Sequence, residues 1–407
     1  MSVSEVHVIG LGLVSGAGIG VDENWRRVVG AEATAARDSA LVGCPVDFGC
    51  RVPGFEPAKL LGPQRAETTG RFAQLALVAA REALAHARLR PEQTDTARFG
   101  VVLGTVAGGT GAMEDGQSWL LRAGPGGVPV RTMTTGLVSS AAGEVAIQFG
   151  LRGMALTIAT ACASGTAAIG TARDLIRSGR LDVALAGGAD SPLTPLYSAA
   201  FDRLRALSRR TDDPVTASRP FDMERDGFVL GEGAGMLVLE SESHARDRAA
   251  PGLARIAGYA STTDGYHAVR PDPQGTGARR AMVEALADAD LAAREVGHVN
   301  AHGTSTRRND EVEAAAIAAV FGTDVAVSST KGVIGHTFGA AGAIEAACAV
   351  LALRHALVPA TANLVVPDPS TDIDLVIGSA RSQRLEAVLS NSFGFGGYNA
   401  SLVFTRL

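Results

Sequence analysis

Cys162, His302 and His336 are the three residues whose types and surroundings best suit covalent chemistry. Cys162 lies in TACASG, where the β-branched run ALTIATA gives way to the helix-forming ASGTAAIGTARDLI. A thiol at a helix start faces unpaired backbone N–H groups and the positive end of the macrodipole, and both favour a thiolate nucleophile. Small neighbours at Ala161, Ala163, Ser164 and Gly165 permit a tight turn and leave room for an incoming chain. A free cysteine taken alone, however, is most often a small core residue. Two histidines shift that balance. His302 in NAHGTST and His336 in KGVIGHTFGAAG both sit in small-residue loops after strand-like runs. Neutral imidazoles donate hydrogen bonds to a thioester oxygen or exchange protons near neutral pH, and two of them can divide these roles. His7, His86, His244, His298 and His355 have ordinary surface or core contexts.

A fourth segment, NSFGFGGYNA, sets Phe393 and Phe395 among Gly394, Gly396 and Gly397. Glycines let a backbone approach a substrate closely and aim an N–H at a developing oxyanion, as acyl transfer requires. A plain turn would have the same composition. The glycine-rich GLGLVSGAG near the N-terminus lacks the spacing of a dinucleotide loop, and SSTKG lacks the GK[ST] of a phosphate loop. Cys44, Cys50, Cys162 and Cys348 are scattered without the Cys/His pairing of a zinc site, so no metal is expected and reduced thiols are.

The elements that must position these residues follow an α/β pattern of buried strands alternating with Ala/Leu-rich helices. The order repeats. VHVIGLGLVS has a counterpart in LARIAGYAST; RFAQLALVAAREALAHARL leading to FGVVLGT has one in RRAMVEALADADLA leading to HVNAHGT. The Cys162 strand–turn–helix matches VAVSSTKGVIGHTFGAAGAIEAACAVLAL, and GEGAGMLVLES matches GFGGYNASLVF. The pattern reads as two similar halves, residues 1–250 with the cysteine and 251–407 with both histidines and the glycine loop.

Bulk properties exclude several classes. A net charge of -5 gives no global attraction to nucleic acid or an anionic membrane, so any basic docking surface is local. MSVSEVHVIG has neither the basic n-region nor the apolar stretch of a signal, and no run of about 18 apolar residues is evident. A cytoplasmic location is expected. Lys59 and Lys331 are the only lysines among 37 basic residues, which draws attention to the one in KGVIGH.

Together TACASG, AHGTST, KGVIGHTFGAAGAIEA, SRPFDMERDGFVLGEGAG and NSFGFGGYNASLVF resemble the elongating β-ketoacyl-acyl carrier protein synthases, in order and over nearly the whole chain. The resemblance implies a duplicated thiolase-like fold, five layers deep (α-β-α-β-α), and a dimer. It implies a Cys162 nucleophile acylated from a carrier protein, and an oxyanion hole from the N–H groups of Cys162 and Phe395. His302 and His336 would stabilise the enolate left when malonyl-carrier protein loses CO2. No cofactor is implied. Lys331 and Glu345 would form a buried pair orienting His336; Thr304 and Thr306 would bind the phosphopantetheine arm; Phe395, flanked by Gly394 and Gly396, would gate the acyl pocket, and Phe393 would bind substrate beside it. A thiolase would need a second catalytic cysteine in a glycine loop, which Cys348 is not. Starter-unit synthases use Cys-His-Asn, and non-catalytic chain-length partners lose the nucleophile that Cys162 retains.

Departures from the family pattern bear on substrate. Ala107 in GTVAGG stands where fatty-acid enzymes carry a bulkier aliphatic residue, so a longer acyl cavity is expected. Arg307 and Arg308 follow HGTST where smaller residues are usual, and Tyr398 replaces threonine or histidine. For docking an acidic carrier, Arg205, Arg209 and Arg210 in DRLRALSRR form the best local cluster, whereas Glu67 and Gly126 occupy usually basic positions. These changes favour a type II polyketide ketosynthase, as a homodimer or paired with a chain-length-factor-like subunit, over a housekeeping fatty-acid enzyme.

Overall fold

The computed structural model describes residues 5–407. The first four residues of the N-terminal segment read above for an export signal lie outside this range. Eight elements build the first half: β1 (Val6–Ser15), α1 (Arg71–His86), β2 (Phe99–Gly104), α2 (Ser140–Phe149), β3 (Ala155–Ile158), α3 (Ser164–Arg177), β4 (Val183–Asp190) and β5 (Gly233–Ser241). Eight more follow in the same order: β6 (Ala254–Thr263), α4 (Thr276–Asp288), β7 (Val296–Asn300), α5 (Arg307–Phe321), β8 (Ala326–Ser328), α6 (Ala341–His355), β9 (Ala387–Gly394) and β10 (Tyr398–Thr405).

The strand order repeats with the element order. In the first half it runs β1-β5-β4-β2-β3 and in the second β6-β10-β9-β7-β8. Pairing direction repeats too: β2 is parallel to β3 and β4, as β7 is to β8 and β9, while the other neighbours are antiparallel. The halves join into one 12-stranded sheet because β1 meets β6 at His7–Arg255 and Val8–Ala254. Close packing is repeated as well. A Cβ on Gly12 of β1 would lie 1.9 Å from the Ala79 carbonyl of α1, and one on Gly258 of β6 would lie 2.0 Å from the Ala285 carbonyl of α4. Gly10 and Gly12 of GLGLVSGAG thus let a helix seat on a strand.

Helices α1 and α2 cover one outer face, α4 and α5 the other, and α3 and α6 lie between the two sheet halves, giving five layers. Thirteen of the fifteen residues of α6 are buried, which explains its lack of a polar face: a helix apolar all round belongs inside. Phe338–His355 has the length and composition of a membrane span, although Glu345, Arg354 and His355 interrupt its apolar run in the sequence. It is 89% buried within this fold. Glu345 is the one carboxylate in that stretch and is fully buried, so it needs a partner.

Candidate active site

Cys162 stands in the turn between β3 and α3. Ala161 takes a left-handed φ of 49°, and the Ser164 hydroxyl accepts from Thr160 N–H at 2.9 Å and donates to the Ala161 carbonyl at 2.6 Å. This turn presents the thiol at the inner end of the central helix layer. His302 follows β7, and His336 follows the short helix Lys331–Ile334 after β8. The Cys162 sulfur and a ring nitrogen from each histidine all lie within 4.8 Å of one another, and all three residues are buried.

The hydrogen bonds define the tautomers. Phe338 N–H donates to His336 Nδ1 at 3.3 Å, leaving the proton of the neutral ring on Nε2, which is 3.1 Å from Cys162 Sγ. The Lys331 ammonium lies 3.3 Å from His302 Nδ1 and donates to the His302 carbonyl at 2.7 Å, so that ring too carries its proton on Nε2. Burial, followed by the Lys331 charge, holds both imidazoles well below the usual histidine range. Two neutral N–H donors therefore face the space beside the sulfur. The same trio has donor types that suit a soft metal. The Lys331 ammonium against one ligand opposes a cation there.

Lys331 and Glu345 do form a buried ion pair. Its target differs from the expectation: the ammonium holds His302, and its effect on His336 is through space. Gly335, at φ 66°, reverses the chain after Ile334, so proximity in sequence does not become contact.

Cys162 also departs from expectation. Its thiol is pushed up to about 12 by burial, which outweighs the Lys331 charge and the hydrogen bonds from the N–H groups of Phe395 and Cys162 itself. Burial thus works against the thiolate that a helix start favours. Those two N–H groups nevertheless flank the sulfur, within reach of the oxygen of an acyl group bonded to it. Gly394 makes this approach possible, since a Cβ there would meet Cys162 N at 2.9 Å and Ala161 Cβ at 3.0 Å.

Thr304 is buried and Thr306 half-buried, with hydroxyls 2.9 Å apart. Phe393 is edge-on to His302 at 6.0 Å, and Phe395 lies 6.2 Å from Phe201. Gly396 turns at φ 85° and donates to the Ala268 carbonyl at 2.8 Å, which ties the loop to residues 264–270. The arginine cluster is largely neutralised: Arg209 pairs with Asp202 at 2.7 Å and Arg210 with Glu224 at 3.4 Å. Arg205 stays exposed, in a left-handed turn with φ 54°. Ala107 is buried.

Several further residues of the site were not singled out from the sequence. Asp190, at the end of β4, accepts from Thr105 Oγ1 at 2.7 Å, from the N–H groups of Val106, Ala107 and Gly108 at 2.8–3.1 Å, and from Gly339 N–H at 2.7 Å. It ties the Ala107 loop to the segment carrying Phe338, whose ring stacks on His336 at 4.8 Å. Glu313 accepts from His302 N–H and Gly303 N–H, both at 2.7 Å, and Asp310 from Thr304 N–H at 3.0 Å. Burial raises these three carboxyls, Asp190 and Asp310 to about 6 and Glu313 to about 7. A polar residue closing the apolar run VALAGGAD, and DEVE just after HGTST, were the available signals.

A repeated five-layered α/β fold with a Cys–His–His centre at the start of a central helix defines a thiolase-like condensing enzyme. The models of the β-ketoacyl synthase N-terminal and C-terminal domains match residues 3–245 and 253–365. The 3-oxoacyl-[acyl-carrier-protein] synthase 2 of Coxiella burnetii is 39% identical over 414 residues, covering all of both chains. The tetracenomycin polyketide synthase ketoacyl synthase alpha subunit of Streptomyces glaucescens is 38% identical over 417 residues, covering 98% of this chain and 97% of its own. The ishigamide ketosynthase/chain length factor superposes with a TM-score of 0.94 at 32% identity, covering all of both chains. The chain belongs to the β-ketoacyl synthase family, and its activity is the acyl-transferring condensation of that family.

Proposed function

We propose that Cys162, His302 and His336 carry out a decarboxylative Claisen condensation on carrier-bound substrates, in a type II polyketide pathway. The observation that carries this reading is the convergence on one sulfur of two backbone N–H groups and the His336 Nε2–H, with the His302 Nε2–H beside it.

In the first half-reaction the Cys162 sulfur attacks the thioester carbon of an acyl-carrier protein. The new C–S bond forms, the bond to the pantetheine sulfur breaks, and the Cys162 proton leaves with the pantetheine thiol. The N–H groups of Cys162 and Phe395 hold the oxyanion. A resting thiol is consistent with this step, which is proton-neutral overall. In the second half-reaction the malonyl C–CO2 bond breaks, and its electron pair becomes an enolate whose oxygen accepts from both imidazole Nε2–H groups. Neutral imidazoles suit this role because their Nε2–H donates a hydrogen bond yet is too weakly acidic to protonate the enolate. The enolate carbon attacks the acyl thioester, Cys162 departs as thiolate, and one solvent proton restores the thiol. No oxidant, reductant or metal enters this balance. Thr304 and Thr306 take the pantetheine arm and Phe395 closes the mouth.

Polyketide rather than fatty-acid assembly is favoured by the small Ala107 at the pocket wall and by the altered docking charges. The likeness to a ketosynthase of a chain-length-factor pair supports a partner subunit of that kind, with a homodimer as the alternative. An acyl carrier protein is the substrate-bearing partner. A nucleophilic thiol points to a reducing, cytoplasmic compartment. Intact-mass analysis after incubation with acyl-carrier protein tests the reading. Wild type is expected to gain the acyl mass and Cys162→Ala to gain none; an adduct that survives in Cys162→Ala would overturn it.

A further inference from the structure

Arg270 and Arg308 both line a surface cleft of about 360 Å³, together with Tyr266, Pro271, Pro273 and Glu311. Both arginines are exposed, and neither guanidinium has an ion-pair partner among the described residues. This contrasts with Arg209 and Arg210, which are both paired. Glu311, the one carboxylate on the cleft, lies 3.5 Å from the buried Arg225, so the cleft keeps a positive excess.

The position of the cleft is as informative as its charge. Arg308 lies in the first turn of α5, two residues beyond Thr306, whose side chain makes no capping hydrogen bond. The partial positive charge of that 15-residue helix adds to the two guanidinium groups. Arg270 belongs to the loop that holds the Gly-rich gate: Ala268 accepts from Gly396 N–H at 2.8 Å and Gly397 from Asp264 N–H at 2.9 Å. One wall of the cleft is therefore continuous with the threonine pair and the other with the gate. Both arginines are free to turn onto a tetrahedral anion, which the fork of a guanidinium matches with paired hydrogen bonds.

We propose that Arg270 and Arg308 clamp the phosphate at the head of the phosphopantetheine arm, so that the chain measures the arm from its phosphate as well as from its thioester. The assignment rests on the reading of this protein as a carrier-dependent condensing enzyme. It also accounts for the two arginines between HGTST and Asn309. Arg308 binds the phosphate, and Arg307 Nε donates to the Arg225 carbonyl at 3.4 Å.

The test compares one acyl group presented on pantetheine, on 4′-phosphopantetheine and on a carrier protein, with Cys162 acylation followed by intact mass. Wild type is expected to favour the phosphorylated small thioester by roughly tenfold or more, the scale of charge-assisted hydrogen bonds at an exposed site. In Arg270→Ala/Arg308→Ala the ratio should fall to about one, and Arg270→Lys/Arg308→Lys should restore much of it, since a phosphate also accepts a point charge. Acylation of wild type without preference for the phosphate, or a preference that survives the double alanine variant, would sink the clamp alone. A loss seen only with the carrier protein would overturn the clamp by assigning the arginines to a protein contact. Failure of all three donors on wild type would overturn the functional reading, and the clamp with it.

Discussion

Replacing Lys331 separates its structural role from its chemical one. Lys331→Met leaves Glu345 fully buried with its one cationic partner gone. Breaking a buried pair from one side costs about 3–5 kcal/mol, because the remaining charge has no solvent. Lys331→Met/Glu345→Leu removes both charges and should lose only about 1–3 kcal/mol, the cost of leaving the His302 carbonyl without its donor. Stability should thus be higher in the double variant than in the single one, as read from urea unfolding. Catalysis should not follow stability. Both variants remove the ammonium from His302 Nδ1, which frees the ring to change tautomer and raises its pKa, because Lys331 is one cause of its depression. Release of CO2 from malonyl-carrier protein should fall by roughly a hundredfold in both, the scale of a misplaced proton donor. Its acid limb should move to higher pH, as His302 becomes charged at a pH where wild type keeps it neutral. A double variant no more stable than the single one, or either variant retaining the wild-type acid limb, would refute this division.

Gly394→Ala should slow Cys162 acylation by about a hundredfold with little loss of secondary structure, since a Cβ there pushes the N–H of Cys162 off its aim; stopped mass sampling and circular dichroism would show both. Asp190→Asn turns one carboxylate oxygen into an NH2 that faces two or three of the five donors, so thermal unfolding should report a loss of about 1–3 kcal/mol, and both half-reactions should slow because Phe338 and its stacked His336 lose an anchor. His298, fully buried against Ser328, is held at about 3 by burial. The folded state thus binds fewer protons than the unfolded one between about 3 and 6.5, and the contribution of His298 to stability is lost as pH falls through that window. Between pH 6.5 and 4.5 this amounts to about 2 kcal/mol, and urea titrations should show His298→Gln losing less stability than wild type over the same range.

The parts of this molecule legible in its sequence are those encoded locally. Strand runs, the Cys162 turn and the two histidine loops each announce themselves within ten residues, and the repeat of strand order follows from matched runs. Residues whose meaning depends on tertiary neighbours are not legible in this way. Asp190 looks like a strand terminus until donors from residues 105–108 and 339 are seen to meet on it. Lys331 stands nearest His336 in sequence, and the turn at Gly335 gives it to His302 instead. The helix start at Ser164 favours a thiolate in isolation, whereas burial of the sulfur, set by tertiary neighbours, pushes the other way. Arg209 and Arg210 form a basic run on paper and two ion pairs in the fold.

The central claim is that the acyl chain rests on Cys162 and leaves it for a carbon nucleophile made by decarboxylation. A single turnover measures this directly: protein acylated beforehand is mixed with malonyl-carrier protein labelled in its free carboxyl carbon, and protein mass, labelled CO2 and product are followed together. The expected result is return of Cys162 to its unmodified mass, with labelled CO2 and a 3-oxoacyl carrier two carbons longer than the acyl group forming in equal amounts. Acyl release to water, CO2 without chain extension, or an acyl adduct mapped to any residue other than Cys162 would contradict it.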